Sequence, residues 1–277
     1  MRRISVRILT ALVLLAAFTG CKKNRDVLPV RFSALLMDWD HMQTVALPEG
    51  MTVGIIAGEP VNMPNVRTSA SGTELIPEVS FYWARGQKST THFMAYAPYD
   101  PSMTGLPFDF SVREDQRTEE GFAASDFISG TADVTRPHVV PFILEHRLSK
   151  LVINVVPTAE SGDVTALTLR NAPRKGSMPL TNVTFSEVGD EGTIQALKTA
   201  RNSFSAIIMP SAVALSLLVE TTRGNHLLCT FPSPTDFQQG KVHELSINLS
   251  DSTAMADGVT FQLSVSDWSD GGNLPFL

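Results

Sequence analysis

The sequence is poor in the residues that carry out most protein chemistry. It has 2 cysteines and 6 histidines in 277 residues, and the histidines show neither an HxxxH nor an HxH spacing, so a zinc site is not indicated. It contains no GxSxG elbow, no phosphate-cradling glycine loop and no dinucleotide fingerprint. None of its acidic pairs sits in a recognisable acid/base motif. These absences favour a protein that is not an enzyme and that holds neither a metal nor a cofactor.

Charge and helical periodicity are also scarce. Charged residues make up 18% of the sequence and the formal net charge is −6, so nothing favours nucleic acid as a partner. The basic residues are scattered, apart from those at the very N-terminus and a short cluster at Lys22, Lys23 and Arg25. We interpret that cluster as part of a tether near a membrane surface.

The most apolar stretch of the sequence lies at its N-terminus. Arg2, Arg3 and Arg7 give this end a positive charge, and residues 8–17 then form an apolar run followed by small residues. This is the arrangement of a secretory signal peptide, to which we assign residues 1–20. Since a membrane-spanning helix needs ~20 apolar residues, a permanent anchor must come from elsewhere.

Residues 18–21, Phe-Thr-Gly-Cys, resemble the lipobox of bacterial lipoproteins, in which the cysteine receives a diacylglyceryl group before cleavage. The alternative is an ordinary cleavage site that happens to precede a cysteine. We predict lipidation of Cys21, with residues 21–27 as the tether, because the acyl chains on such a cysteine make membrane anchoring effectively permanent. Cys229 is then the only thiol left, so an intramolecular disulfide is excluded, and its apolar neighbours predict a core residue.

The remaining sequence is a series of short apolar runs bounded by turn formers, which predicts an all-β protein. Several runs alternate, so we expect Leu151, Ile153 and Val155 to face a core while Val152 and Asn154 face away. The predicted strands cover residues 28–36, 51–57, 80–83, 91–96, 108–112, 139–145, 150–156, 164–170, 178–180, 203–208, 214–221, 226–231, 241–249 and 259–265.

These strands predict two β-sandwich domains better than one barrel. Residues 129–137 are rich in turn formers and have alternating apolar runs on both sides, so this segment is the predicted break. The expected domains are an N-terminal sandwich of residues 28–136 and a C-terminal sandwich of residues 137–277.

Four motifs resemble those of the fimbrillin family. One run is similar to the family's F-x-H-x-L-S-K-L strand, and the matching residues are His146, Leu148, Ser149, Lys150 and Leu151. Residues 93–99 resemble its F-x-A-Y-x-P strand, residues 206–210 its x-I-x-P strand, and Trp268 the tryptophan after its last strand.

Fimbrillins are subunits and accessory proteins of type V pili in anaerobic Gram-negative bacteria. The resemblance implies two transthyretin-like Greek-key sandwiches, export to the outer membrane as a lipoprotein, and assembly with other pilus subunits by strand exchange. It also implies a non-catalytic structural or adhesive role, with a host or bacterial surface as a further partner. A strand with unpaired N–H and C=O groups is a template for a strand of another chain.

In the stalk subunits of this family, a trypsin-like protease cuts after an arginine just beyond the first strand and removes that strand. Here the first predicted strand is expected at a sheet edge, and no Arg or Lys follows it directly. The candidate cleavage sites are Arg25, Arg31 within the strand, and Arg67 in segment 60–68, which we expect to be exposed. We therefore favour the uncut form, and the stalk, tip and anchor roles all stay open.

The main alternative is a surface glycan-binding lipoprotein. A sugar-stacking platform needs several aromatic side chains exposed in one plane, so exposure of Trp83 and Trp268 separates the two functions. The aromatic candidates for such a platform are Trp39, Trp83, Trp268, Tyr82, Tyr96 and Tyr99.

Overall fold

The computed structural model describes residues 28–37, 43–103, 107–178, 185–231 and 234–249, together with the backbone of residues 259–267. Within these residues the regular structure is almost all β-strand, and the helix α1 (Glu119–Ala123) has five residues. The prediction of an all-β protein is confirmed. In the described part of the chain, no helix is long and apolar enough to cross a membrane.

Most strands coincide with the short runs of β-branched and aliphatic residues, which suit a pleated and half-buried surface. In chain order they are β1 (Phe32–Met37), β2 (Thr44–Ala46), β3 (Thr52–Ala57), β4 (Met63–Ser71), β5 (Glu74–Pro77), β6 (Thr91–Ala97), β7 (Phe108–Ser111), β8 (Ile128–Val134), β9 (Val140–His146), β10 (Ser149–Val156), β11 (Val164–Met178), β12 (Ser186–Gln195), β13 (Leu197–Ala200), β14 (Ser203–Ile208), β15 (Ser211–Val213), β16 (Ser216–Thr221), β17 (His226–Thr230), β18 (Thr235–Phe237), β19 (Lys241–Leu249) and β20 (Val259–Asp267).

The N-terminal strands form a sheet in the order β2-β1-β5-β4-β3-β6-β8-β9, and β1 also pairs with β9. Seven strands therefore close into a barrel-like ring, which we call the barrel. The closing pair is parallel and runs from Phe32 opposite Val140 to Leu36 opposite Leu144. The N-terminal region was predicted to be a sandwich, but its sheet closes into a ring. The prediction that the first strand lies at a sheet edge is wrong, because β1 has neighbours on both sides.

Inward-facing side chains fill the barrel. Around the start of β1, Val30, Phe32 and Ala34 alternate inward, as the period of a strand requires, and none is more than 4% exposed. Aromatic rings occupy the centre, with centroid distances between 5.8 and 6.3 Å. These rings belong to Phe32, Trp83, Phe93 and Phe142.

The segment predicted to separate two domains is instead a strand of the barrel. β8 covers most of it and pairs with both β6 and β9. A Cβ at Gly130 would overlap the carbonyl oxygen of Ile143 on β9, so the small residues of this segment permit close strand contact rather than a turn. β9 lies beyond the predicted boundary at residue 137, yet its inward side chains belong to the barrel core. The division into two domains itself stays a prediction.

The C-terminal strands form two five-stranded sheets around a second core, and we call this region the sandwich. One sheet has the order β13-β14-β10-β19-β20. The other has the order β12-β11-β16-β17, with β7 paired to the second half of β11. Both sheets contribute side chains to one apolar cluster, as packed sheets do. β15 and β18 form a separate pair.

The predicted alternation of β10 is confirmed for its inner face. All three residues predicted to face inward are buried, and Leu151 and Ile153 are 0% exposed. Val152, predicted to face away, is also buried at 4%. The outer face of β10 is therefore not open to water along its whole length. On the same face, Lys150 lies 6.0 Å from the ring centre of Phe122 in α1.

β6 contributes to both cores. Phe93 and Ala95 belong to the barrel core, whereas Met94 and Tyr96 belong to the core of the sandwich. Gly54 on β3 makes room for this arrangement, since a Cβ there would overlap the Tyr96 ring. From Tyr96 an aromatic cluster continues into the sandwich through Phe108, Phe110, Phe127 and Phe185.

Candidate functional site: the closing strand and the junction segment

The closing strand, β1, is anchored in the barrel by one aromatic side chain above all. The Phe32 ring stacks on Phe142 at a centroid distance of 6.3 Å and meets Phe93 edge-on at 5.9 Å. Phe32 is 2% exposed, and burying such a side chain stabilises a fold by about 1.5–3 kcal/mol.

The backbone of the closing strand is paired along both edges. One edge pairs with β9 over five residue positions, and the other pairs with β5 and then β2. At the start of the strand, the Val140 N–H donates to the Arg31 carbonyl at 2.8 Å, and the Ala34 N–H donates to the Thr73 carbonyl at 3.0 Å. Removal of β1 would leave two unpaired edges on either side of an empty aromatic pocket, which a strand of similar pattern could fill.

The candidate cleavage sites differ in their surroundings. Arg67 lies within β4, where its carbonyl accepts the Glu78 N–H at 3.1 Å and its guanidinium contacts the Glu78 carboxylate at 2.9 Å. The side chain of Arg67 is 46% exposed, as expected for this segment, but its backbone is paired inside a sheet. Arg31 has an exposed side chain and directly precedes β1, rather than lying within it. Arg25 and Cys21 lie outside the described residues.

Residues 147–148 lie between β9 and β10, and we call them the junction segment. They connect the barrel to the sandwich. On one side, His146 is 6% exposed and its Nδ1 lies 2.9 Å from Oδ1 of Asp126. The Arg147 guanidinium donates to Ser129 twice, to Oγ at 3.0 Å and to the carbonyl oxygen at 2.9 Å. Burial lowers the pKa of Arg147. The hydrogen bonds to Ser129 hold the start of the junction segment in place.

The other half of the matched motif fixes the start of β10. The Ser149 hydroxyl donates to the Gln238 carbonyl at 2.6 Å, and both leucines of the motif are fully buried. Burial lowers the pKa of Lys150 to about 8, against the opposing influence of the Asp126 carboxylate. The structure thus brings the motif residues together at one joint, where each has a packing or hydrogen-bonding role.

Gln116 is a residue that sequence reasoning missed. It is 0% exposed, and its side-chain amide both accepts the Ile207 N–H and donates to the Ile207 carbonyl, each at 2.8 Å. The amide therefore completes the hydrogen bonding of β14 where β13 no longer reaches it. Its sequence neighbours are charged and polar, so no local signal distinguishes this glutamine from a surface residue.

An open groove lies between β7, α1 and the loop after β6, and acidic and basic side chains line it. Several of these charges are paired within the protein. Arg174 contacts Glu114 at 3.1 Å, and Arg117 contacts Asp115 at 2.7 Å and lowers the pKa of that carboxyl to about 2. In the part of the chain that the structure describes, no group of three His, Cys, Asp or Glu residues could hold a metal ion.

The aromatic candidates for a sugar platform that the structure describes do not share one surface. Trp83 is 2% exposed and Tyr96 is 0% exposed, whereas Tyr82 is 54% exposed. Cys229 is also a core residue, as predicted, and burial raises its pKa to about 11. Two of the aromatic candidates lie outside the described residues, namely Trp39 and Trp268.

Comparisons with known proteins point to one family. The sequence profile of the family described as fimbrillin-like matches residues 44–268. A candidate cell adhesion protein from Bacteroides ovatus has a TM-score of 0.69 at 15% identity, over 88% of this chain and 99% of that chain. A second one, from Bacteroides uniformis, has a TM-score of 0.63 at 17% identity, over 90% and 100%.

The fold also resembles that of the tip fimbrial protein Mfa3 from Porphyromonas gingivalis, solved with a C-terminal truncation. The TM-score is 0.51 at 13% identity, over 87% of this chain and 100% of that chain. At these identities the likeness shows a shared fold. A comparison with curated protein sequences found no match.

Proposed function

Because the chain belongs to the fimbrillin-like family, we propose that it is a non-catalytic structural or adhesive subunit of a type V pilus at the bacterial surface. In this proposal it is a lipoprotein of the outer membrane, anchored through Cys21, and its partners are other pilus subunits and a host or bacterial surface. The descriptions of neighbours in fold as tip fimbrial and cell adhesion proteins support this role.

The observation that carries the proposal is the way β1 closes the barrel. It enters the ring between strands that are distant in sequence, and it is paired on both edges. Its side chains fill a pocket lined by aromatic rings of other strands. A strand from a second subunit with the same alternation could make the same contacts, which is the geometry that strand exchange requires.

We further propose that this subunit works with its own β1 in place. A cut after Arg67 would remove β1, β2, β3 and half of β4, and with them Val53 and Ile55, which are 0% exposed in the barrel core. Such a cut would dismantle the ring rather than open one groove. A cut after Arg25 would spare the barrel and detach the protein from its lipid, whereas a cut after Arg31 would also remove Val30, which is 4% exposed in the barrel core. Both arguments favour an anchored and uncut subunit.

The transthyretin-like character of the two regions belongs to this proposal as well. The sandwich has two sheets packed over one core, whereas the barrel is a single sheet that the β1–β9 pair closes around its own core. We place the division between them at residues 147–148, with residues 108–127 assigned to the sandwich because β7 pairs with β11.

The alternative of a glycan-binding lipoprotein receives no support from the described residues. Its stacking platform depended on exposed aromatic side chains, and Trp83 is buried against Phe93 at a centroid distance of 5.8 Å. Catalysis is not part of the proposal, and the side chains of Arg147 and Ser149 in the matched motif donate hydrogen bonds within the protein.

The lipid anchor can be tested by metabolic labelling with a fatty-acid analogue in cells that produce the full chain. We expect label and outer-membrane fractionation for the wild-type protein, and neither for Cys21→Ser, which should be released or remain an uncleaved precursor. Cys229→Ser is the matched control and should keep the label, because Cys229 is buried in the sandwich. Label retained on Cys21→Ser would refute the anchor.

The uncut form can be tested by treating the purified protein with an arginine-specific protease and following its size by gel filtration. We expect cleavage to be confined to the tether, at Arg25, and the product to stay folded without forming ladders. Arg25→Gln should then abolish cleavage. A clean cut at Arg67 followed by ladders of oligomers would overturn this preference and establish a polymerising stalk or tip subunit.

A further inference from the structure

β17 forms one outer edge of the sandwich, and its hydrogen-bonding groups alternate between its neighbour and the outside. The Thr221 N–H donates to the Asn225 carbonyl, and the Phe231 N–H donates to the Leu215 carbonyl. These two bonds show which residue pairs of the β16–β17 ladder are hydrogen-bonded. Because hydrogen-bonded pairs alternate along an antiparallel ladder, Leu227 and Cys229 bond to β16. The N–H and C=O groups of residues 226, 228 and 230 therefore point away from the sheet. Among the described residues, no strand pairs with this edge.

The side chains of β17 do nothing to block an incoming strand. Edge strands are usually protected by charged side chains, proline, bulges or very short length. Other edge strands show such features to different degrees: β2 has three residues, β13 carries Lys198 at an irregular register, β12 is irregular and contains Asp190 with a φ of 55°, and the longer β20 has one charged residue, Asp267, at its end. β17, with the sequence His-Leu-Leu-Cys-Thr, has no acidic side chain, lysine, arginine or proline.

The outer face of β17 also presents an apolar side chain at its centre. Leu228 is 53% exposed, whereas the next residue, Cys229, is 2% exposed and belongs to the core. The unpaired backbone edge can form hydrogen bonds with a second strand, and that strand would also cover the exposed leucine at the centre of the edge.

We infer that β17 is a self-association surface, at which two copies of this chain pair β17 against β17 in antiparallel orientation about a twofold axis through Leu228. The occupant is a second copy because the strand is complementary to itself. With Leu228 opposite the partner's Leu228, residue 226 lies opposite residue 230 of the partner, and each outward N–H meets an outward C=O. A twofold contact of this kind is closed, so it yields dimers.

The charge pattern agrees with this register. No charge lies on the strand to be buried or to face a like charge, and the two leucines meet at the axis. The inference does not depend on strand exchange at the barrel, because β17 and β1 lie in different sheets. It adds a lateral contact to the proposed fimbrial role and can fail independently of that role.

The register can be tested by disulfide trapping on intact cells that produce the full chain. On mild oxidation, Leu228→Cys should form a covalent dimer, since Cα atoms of opposed residues are ~5.5 Å apart and a disulfide spans that distance. Ile76→Cys is the matched control: Ile76 is 55% exposed on β5 of the barrel, and this variant reports random encounters. Equal dimer yields for the two variants would overturn the inference.

A second experiment separates this register from any other contact through β17. His226→Cys and Thr230→Cys should each cross-link poorly alone, because each cysteine lies ~13 Å from its own counterpart across the axis. Cells that produce both variants together should give a strong mixed dimer. Efficient cross-linking of either single variant, or none in the mixture, would contradict the twofold axis at Leu228.

The last measurement distinguishes this contact from the fimbrial role. Leu228→Lys places like charges at the axis and should abolish trapping between His226→Cys and Thr230→Cys chains that also carry it. The same substitution should leave lipid labelling, membrane fractionation and the protease pattern unchanged. Trapping that survives Leu228→Lys would overturn the proposed contact, whereas lost fractionation in the wild-type protein would count against the anchor alone.

Discussion

The barrel and the sandwich differ in how they treat the edges of their sheets. In the barrel, β1 pairs on both sides and closes a seven-stranded ring, whereas the two sheets of the sandwich end in strands with one neighbour each among the described residues. A closed ring admits a foreign strand only if one of its own leaves, but an open sheet can simply be extended. The two proposed contacts therefore join another chain in different ways, by replacement of β1 in the barrel and by addition to β17 in the sandwich.

The two regions are nevertheless not independent in their packing. Tyr96 on β6 of the barrel belongs to the core of the sandwich, and the last passage of the chain from barrel to sandwich takes only residues 147–148. Whether they unfold together is thus an experimental question, which hydrogen exchange can answer because it reports each strand separately.

The largest expected effect comes from a charge in the centre of the sandwich. Leu151 is 0% exposed on β10, between β14 and β19. Leu151→Asp should lower the free energy of unfolding by at least ~4 kcal/mol, because it buries a charge without a partner. Val156→Asp on the same strand is the control: Val156 is 54% exposed and its replacement should change stability by less than ~0.5 kcal/mol.

Hydrogen exchange on Leu151→Asp would sharpen the comparison of the two regions. Loss of protection limited to the sandwich means that the barrel folds without it, and loss in both means one cooperative unit. A melting temperature equal to that of the wild-type protein would show that the register of β10 is wrong.

The next effect concerns the closure of the barrel. Phe32→Ala removes the ring that packs on Phe142 and Phe93, and should lower the free energy of unfolding by about 3–5 kcal/mol. Protection should fall first in β1 and β9. Ser33→Ala, one residue further along and facing the other way, should be nearly neutral. If the two substitutions have equal effects in a denaturant titration, Phe32 does not hold the closing strand.

How far the sequence predicts these two regions depends on the range of the interactions involved. β14 and β19 have the predicted bounds, because β14 is rich in apolar residues and β19 alternates apolar with polar residues from Leu245 to Leu249. β8 was missed since Gly130 and its small neighbours have the composition of a turn, and only the approach of Ile143 explains them. The barrel itself depends on pairing between Phe32 and Val140, more than a hundred residues apart, and local patterns carry no information about such a contact.

For the candidate site, too, the local pattern was predictable and the long-range contacts were not. The motif residues from His146 to Leu151 were recognisable by their order, but their roles were not, because His146 pairs with Asp126 and Ser149 with Gln238. These partners lie far away in sequence and have no pattern of their own. Arg67 has the exposed side chain that was predicted, but its backbone lies in β4, which continues through Pro64 and Asn65.

A smaller effect is expected at the buried lysine next to the junction. Below pH ~8, Lys150 is charged in the folded and the unfolded chain, and the fold bears the cost of its burial. Because its pKa falls to about 8 from the ordinary 10.5, the folded chain loses this proton first, so stability rises with pH between these values. Lys150→Met should therefore stabilise at pH 7 by on the order of 1–2 kcal/mol.

Denaturant titrations at pH 7 and pH 10 would measure this effect. The gain from Lys150→Met should shrink at the higher pH, where the wild-type lysine is already neutral in the fold. Lys175→Met is the control, because Lys175 is 64% exposed in its ion pair with Asp190. A gain that does not depend on pH would mean that packing, rather than the buried charge, explains it.

The smallest effect tests the contact between the two cores. The Tyr96 hydroxyl donates to Oδ1 of Asn65 at 2.8 Å, and burial raises the pKa of Tyr96 to about 12. Tyr96→Phe should lower the free energy of unfolding by about 1 kcal/mol. The wild-type protein should lose stability as the pH rises from 10 towards 12, because the unfolded tyrosine ionises first. Tyr96→Phe should lack that part of the loss, and Tyr82→Phe, at an exposed position, should retain it.

The parallel orientation of β1 and β9 determines how the protein responds to mechanical tension. In the proposed form anchored through Cys21, a pull towards the cell acts on the N-terminal end of β1, and a pull by anything attached beyond the sandwich acts on the C-terminal end of β9. Since the two strands run in the same direction, these opposed forces slide them past each other. The five paired positions between them are then loaded together instead of breaking one by one. Under fluid shear the barrel would therefore resist opening.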